Sequence, residues 1–132
     1  MIDSKILSAK NIFNLYIRYG INGAAKKIDG NCSLIIIDEK KYSISVLRDR
    51  IGLSPVYYSH NNTEFKCSSN IGPIVKSGIN NKKYNKKIVG RYASCNFRAN
   101  YGSEETFFKN VYQIMPSNLI TYKNNKIIIE RY

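Results

Sequence analysis

The sequence predicts an α+β fold in which helices cover antiparallel sheets, and three patterns carry that expectation. Apolar residues recur at three- and four-residue spacing near the start, an unbroken β-branched run is followed by strict two-residue alternation, and further pairs of apolar runs flank turn formers. With 132 residues, 43% of them hydrophobic, the chain has material for one domain and one modest core.

From Ile6 to Tyr19, Ile12, Leu15, Tyr16 and Tyr19 fall on one face with Lys10, Asn11, Asn14 and Arg18 between them, which predicts an amphipathic helix ended by Gly20. A second short helix is expected over Asn22 to Ile28, with Asn22 as its N-cap, Lys26 and Lys27 suiting the dipole of its last turn, and Asp29-Gly30 stopping it. The run Cys32-Ser33-Leu34-Ile35-Ile36-Ile37 reads as a central strand covered on both faces. After the polar turn Asp38-Glu39-Lys40-Lys41, the alternation of Tyr42, Ile44 and Val46 with Ser43 and Ser45 completes a hairpin. Val56 to Ser59 and Glu64 to Ser68 form a second hairpin around Asn61-Asn62, which predicts a continuous antiparallel meander.

Beyond the meander, Ile71 to Gly78 is expected to be a short helix and Asn80 to Asn85 a linker. Lys86 to Ala93 is expected to be another helix with Ile88, Val89 and Tyr92 facing inward. Asn118 to Tyr122 and Lys126 to Glu130, joined by Lys123-Asn124-Asn125, predict a terminal hairpin.

Twenty-one Lys and Arg against nine Asp and Glu leave a formal charge of +12, which favours anionic partners where the charge is clustered. Ile, Asn and Lys alone supply 51 of the residues, the bias expected of adenine- and thymine-rich codons, so much of this charge is expected to reflect genomic drift. The densest basic run, Lys82-Lys83-Tyr84-Asn85-Lys86-Lys87, reads as a solvated linker and helix start, and nucleic acid is not the expected partner. No stretch reaches the roughly 18 apolar residues of a membrane span, and Met1-Ile2-Asp3-Ser4-Lys5 is not the start of a signal peptide. A cytoplasmic protein without membrane partners is expected. Cys32, Cys67 and Cys95 form no C-x-x-C pair and are expected to be reduced, mostly buried thiols, and the lone His60 is expected at an exposed turn. Neither a Cys–His catalytic pair nor a metal site is expected, and no cofactor.

The order Ile28-Asp29-Gly30, strand, Asp38, strand, Arg48-Asp49-Arg50-Ile51-Gly52-Leu53-Ser54-Pro55-Val56-Tyr57-Tyr58 resembles the L-D-G…W-D…A-R-D-R-x-G-x-K-P-L-Y-Y signature of glutamine-hydrolysing asparagine synthetases. Tyr16-Ile17-Arg18-Tyr19-Gly20 resembles the helix end before L-D-G. Phe65-Lys66-Cys67-Ser68-Ser69-Asn70-Ile71-Gly72-Pro73-Ile74 is similar to F-A-S-E-x-K-A-L. Thr106 to Pro116 is similar to T-L-F-x-G-V-x-x-L-P-P, and Arg131-Tyr132 to the family's R-Y-W. The chain departs from the pattern at Ser54, Asn70 and Pro116-Ser117-Asn118, where the family has Lys, Glu and P-P-G.

The resemblance implies a class II glutamine amidotransferase domain, a four-layer α/β/β/α Ntn-hydrolase sandwich with two antiparallel sheets. Residues 1–132 would be a single such domain, a partial sandwich lacking the N-terminal catalytic third. In the family the nucleophile is a cysteine at the mature amino terminus, whose own α-amine, with a pKa of roughly 7.7–8.0, serves as base. Ile2 follows Met1 here, and the family's substrate-clamping arginine and Asn-Gly oxyanion donors would precede the chain, so no catalytic residue is expected in it.

One site residue is carried over: Asp29 matches the L-D-G aspartate and would meet the substrate's ammonium, the alternative being that Asp29-Gly30 only shapes the turn into the strand. Arg48, Asp49 and Arg50 are expected to order a turn through local ion pairs. The implied function is a fragment or split subunit that completes a glutaminase unit supplying ammonia for amide formation and is inactive alone. Its partners would be a complementary N-terminal glutaminase chain, a synthetase-type protein or a second copy, with glutamine bound only on completion. A non-catalytic interaction module of a synthetase-like amide ligase and a basic nucleic-acid-binding module are the alternative functions.

Overall fold

The computed structural model describes residues 8–78, 83–95 and 103–132, with ten elements. The expected helix start at Ile6 and linker positions 80–82 lie outside the described residues.

Helix α1 (Ala9–Lys27) opens on Ser8, whose Oγ accepts the N–H of Asn11 at 3.3 Å. It is interrupted where the sequence predicts a stop: Gly20 has φ 67° and ψ −177°, a conformation costly for any residue with a Cβ, so two helical pieces meet at a kink. Asn22, the expected N-cap of the second piece, instead sends its amide to the Glu130 carboxylate at 3.3 and 3.4 Å.

Among the described residues, seven strands form two antiparallel sheets. The first has the order β1 (Ser33–Asp38), β2 (Ser43–Arg48), β6 (Asn118–Lys123), β7 (Lys126–Arg131); the second has β4 (Phe65–Ser68), β3 (Tyr57–His60), β5 (Tyr112–Gln113). Both early hairpins and the terminal hairpin stand as the sequence predicts, the last closed by Asn124 and Asn125 at φ 50° and 59°. The continuous meander is corrected. β2 pairs with β6, about 75 residues further along the chain, and β3 pairs with β4 and β5 in the other sheet, because the loop after Arg48 carries the chain across from one sheet to the other.

The sheets face one another through Val46 and Ile120 on one side and Tyr58 on the other, with Val56 and Ile114 between; partly buried Phe65, Cys67 and Tyr112 complete this core. The Phe65 ring stacks on Tyr122 across the gap, with centroids 5.0 Å apart. On the opposite face of the first sheet, Leu47 and Leu119 pack against Ala25 of α1, and each fully buried leucine contributes about 1.5–3 kcal/mol. Helix α2 (Ile71–Lys76) lies against β3 and β4, capped by Asn70 Oδ1 on the Gly72 N–H at 2.9 Å. Helix α3 (Lys86–Cys95) buries Ile88, but Val89 and Tyr92 are 41% and 48% exposed, correcting the expected inward stripe.

The position of β1 is a second correction. Its sequence reads as a central strand, yet among the described residues it is an edge. Ile35 and Ile37 are cross-strand partners of Val46 and Ile44 and share their face, yet they are 50% and 67% exposed while Val46 is fully buried. The second sheet ends before it reaches them.

Candidate functional site

The family-like residues gather at one end of the first sheet, where the α1–β1 connection, the loop after β2, the turn before β6 and Tyr132 meet. Asp49 organises this end. Its Oδ1 accepts the N–H groups of Ile51, Gly52 and Leu53 at 3.1, 2.6 and 3.1 Å, and its Oδ2 accepts that of Ser54 at 3.0 Å. The spacing explains the motif: an aspartate followed by a backbone that curls round its carboxylate needs a residue with free φ at the crest, and Gly52 supplies it at φ 78°. Burial alone pushes the Asp49 carboxyl up, but the four backbone donors outweigh it and hold it below the usual carboxylate range.

Arg48, also buried, donates from Nη1 to the carbonyl of Ile114 and from Nη2 to that of Gly52, both at 2.6 Å. The Tyr132 hydroxyl donates to the carbonyl of Arg48 at 2.8 Å, and the Ser117 N–H donates to the carbonyl of Asp49 at 3.1 Å. Arg50 donates to the Lys26 carbonyl at 2.8 Å, tying the loop to the end of α1. The expected local ion pairs are thus corrected: among the described residues, no ion pair involves Arg48, Asp49 or Arg50. Charge is spent on backbone groups that a sharp loop would leave unpaired.

Asp29 lies at the same end and is exposed, with its Oδ1 accepting the N–H of Gly30 at 3.1 Å. Cys32 follows it, and its carbonyl accepts the Asp49 N–H at 3.0 Å. Burial first, then the carboxylates of Asp49 and Asp29, push the Cys32 thiol up. Burial alone pushes Cys67 up, among the core residues between the sheets. Both shifts oppose the thiolate a nucleophile needs. Iodoacetamide at pH 7.5 is therefore expected to label Cys32 and Cys67 at least about tenfold more slowly than an unstructured cysteine peptide, followed by mass spectrometry of the digested chain. Labelling of either at the peptide's rate would contradict the burial account.

Cys95 is the last residue of α3, and His60 is exposed at the end of β3. Among the described residues no group of three His, Cys, Asp or Glu could hold a metal ion. No helix among them is long and apolar enough to cross a membrane. One cluster was not foreseen: the Tyr16 hydroxyl donates to Asp38, and Lys41 reaches both at 3.3 Å, joining α1 to the β1–β2 turn. Nothing in local periodicity pairs positions 16 and 38; only the helix-on-sheet packing does.

Two facing antiparallel sheets are thus joined by a loop wound round a buried aspartate. The family model for the glutamine amidotransferase domain matches residues 8–132, and the chain belongs to that family. It is also 30% identical, over 123 residues and 92% of its length, to a putative glutamine-hydrolysing asparagine synthetase of Methanocaldococcus jannaschii. The chain spans 23% of the length of that relative.

Proposed function

We propose that this chain is the framework of an asparagine-synthetase-type glutaminase unit, a partial α/β/β/α Ntn-hydrolase sandwich completed by a polypeptide segment that docks along β1 and carries the nucleophile. The observation that carries this reading is the mismatch at β1. A strand of Ser33-Leu34-Ile35-Ile36-Ile37 has the composition of a sheet interior, with neither lysine nor proline to guard an edge, and it leaves Ile35 and Ile37 bare beside a closed core. A strand added there pairs the edge that is free among the described residues, and a further strand extending the second sheet covers both isoleucines. The raised thiols of Cys32 and Cys67 support placing the nucleophile outside these residues. Ammonia from the completed unit would pass to a synthetase-type partner that forms an amide, and glutamine binds only once the unit is complete.

The test is ammonia release from glutamine. The chain by itself is expected to give none. Adding a polypeptide that begins with the family's cysteine and contains the preceding strands is expected to restore release, and Ile37→Lys to prevent restoration. Because Ile37 is 67% exposed, that substitution should change the stability of the chain itself by no more than about 0.5 kcal/mol. Release by the chain alone that disappears in Cys32→Ser or Cys67→Ser would overturn the reading.

A further inference from the structure

Away from the amidotransferase loop, a groove of about 720 Å³ is lined by Lys83, Tyr84, Lys86, Phe108 and Lys109. Two distant stretches build it. Tyr84 bridges to Phe108 in antiparallel fashion, the Lys109 N–H donates to the Lys83 carbonyl at 2.8 Å, and the Asn85 N–H donates to the Phe107 carbonyl at 2.8 Å. This clamp holds part of the basic run identified in the sequence against Lys109, which the sequence places elsewhere.

The charge here is lopsided. Glu105 is the carboxylate of the groove and is already engaged by Lys87 at 3.1 Å and by the Asn85 amide at 3.4 Å. Among the described residues, Lys83, Lys86 and Lys109 have no ion-pair partner. Lys86 and Lys87 occupy the first turn of α3, which holds no acidic residue, so cations crowd the helix end where the backbone dipole is already positive. An anion in the groove relieves that repulsion. Beside the lysines stands a flat apolar surface: the Tyr84 ring is 67% exposed and lies 5.6 Å from Phe108, centroid to centroid, at 31°.

A ligand that satisfies both features carries a planar ring and a compact polyanion. We propose that the groove binds a nucleoside phosphate, with the base on Tyr84 and the phosphates on Lys83, Lys86 and Lys109. Aromatic rings stack on bases without sequence preference, and lysines bind phosphate as point charges. The volume falls within the range of single small-molecule sites and fits one nucleotide, so the free nucleotide is the source to which the proposal commits. This site is independent of the glutaminase reading.

Binding can be followed by calorimetry at 150 mM salt with ATP, inorganic triphosphate and an unstructured ten-nucleotide DNA. ATP is expected to bind, Tyr84→Ala to weaken ATP by about tenfold without affecting triphosphate, and Lys83→Glu with Lys109→Glu to weaken both by at least about tenfold. Lys123→Glu with Lys126→Glu removes the same charge at the β6–β7 turn and should change neither, and thermal melts of all variants check folding. The proposal is overturned by no ATP binding at 1 mM nucleotide, by triphosphate binding as tightly as ATP with Tyr84→Ala silent, or by equal losses in the two lysine pairs. Oligonucleotide affinity more than about tenfold above that of ATP would overturn it in favour of a nucleic-acid surface.

Discussion

Replacing Asp49 by alanine is expected to lower the stability of the chain by about 3–5 kcal/mol, a large share of the roughly 5–15 kcal/mol that keeps a domain folded. The residue is 2% exposed and accepts four backbone N–H groups; in the variant all four lose the carboxylate at once, and that of Gly52 keeps the Asp49 carbonyl, at 3.2 Å. The loss spreads further, because the loop that Asp49 shapes presents the Gly52 carbonyl to buried Arg48. Asp49→Asn separates charge from shape. One amide oxygen can still take the three bonds to Ile51, Gly52 and Leu53, but the amide nitrogen then faces the Ser54 N–H, donor against donor, so an intermediate loss of about 1–3 kcal/mol is expected.

The pH dependence follows with a definite sign. A carboxylate held below its ordinary value in the folded state stabilises the fold fully above the unfolded pKa of about 3.9, and that contribution is lost as pH falls through the lower folded value. Melting temperature against pH should therefore fall below about pH 4 in the natural chain and fall less steeply in Asp49→Asn. Parallel curves for the two proteins would show that Asp49 is not the group responsible.

The sequence was most legible where structure is local. The Gly20 interruption and the Asn124-Asn125 turn each follow from the conformational freedom of one or two residues. The Arg-Asp-Arg loop was legible as an ordering element, since the partners of the Asp49 carboxylate lie within five residues of it, but charge composition suggested ion pairs where backbone donors do the work. Sheet membership was not legible. Whether Ile44 faces Tyr122 or a nearer strand depends on pairing across the whole chain, which periodicity does not encode. The same limit hid the groove, whose Tyr84 and Phe108 meet only through a tertiary bridge. At β1 an interior-like sequence lies at an edge among the described residues, a position that local composition does not encode.

Gly52→Ala should be the next most damaging change, at about 2–4 kcal/mol, for two reasons that act together. At φ 78° an alanine enters the left-handed region, which alone costs about 1–2 kcal/mol. Its Cβ would also lie 2.6 Å from Pro116 Cγ and 3.2 Å from Arg48 Nη2. Neither neighbour yields easily: Pro116 is a closed ring beside Ser117, itself at φ 61°, and the Arg48 guanidinium is fixed by two carbonyls. Urea denaturation can separate the two contributions. Pro116→Ala removes Cγ, so the double variant should recover part of the Gly52→Ala loss, a coupling on the order of 1 kcal/mol, and leave the backbone part behind. Asp49→Ala with Gly52→Ala should cost less than the sum of the two, since a loop already released from its carboxylate no longer forces the contact. Strict additivity in both cycles would mean that Gly52 and Pro116 meet without energetic consequence, and that the turn before β6 does not hold the loop in place.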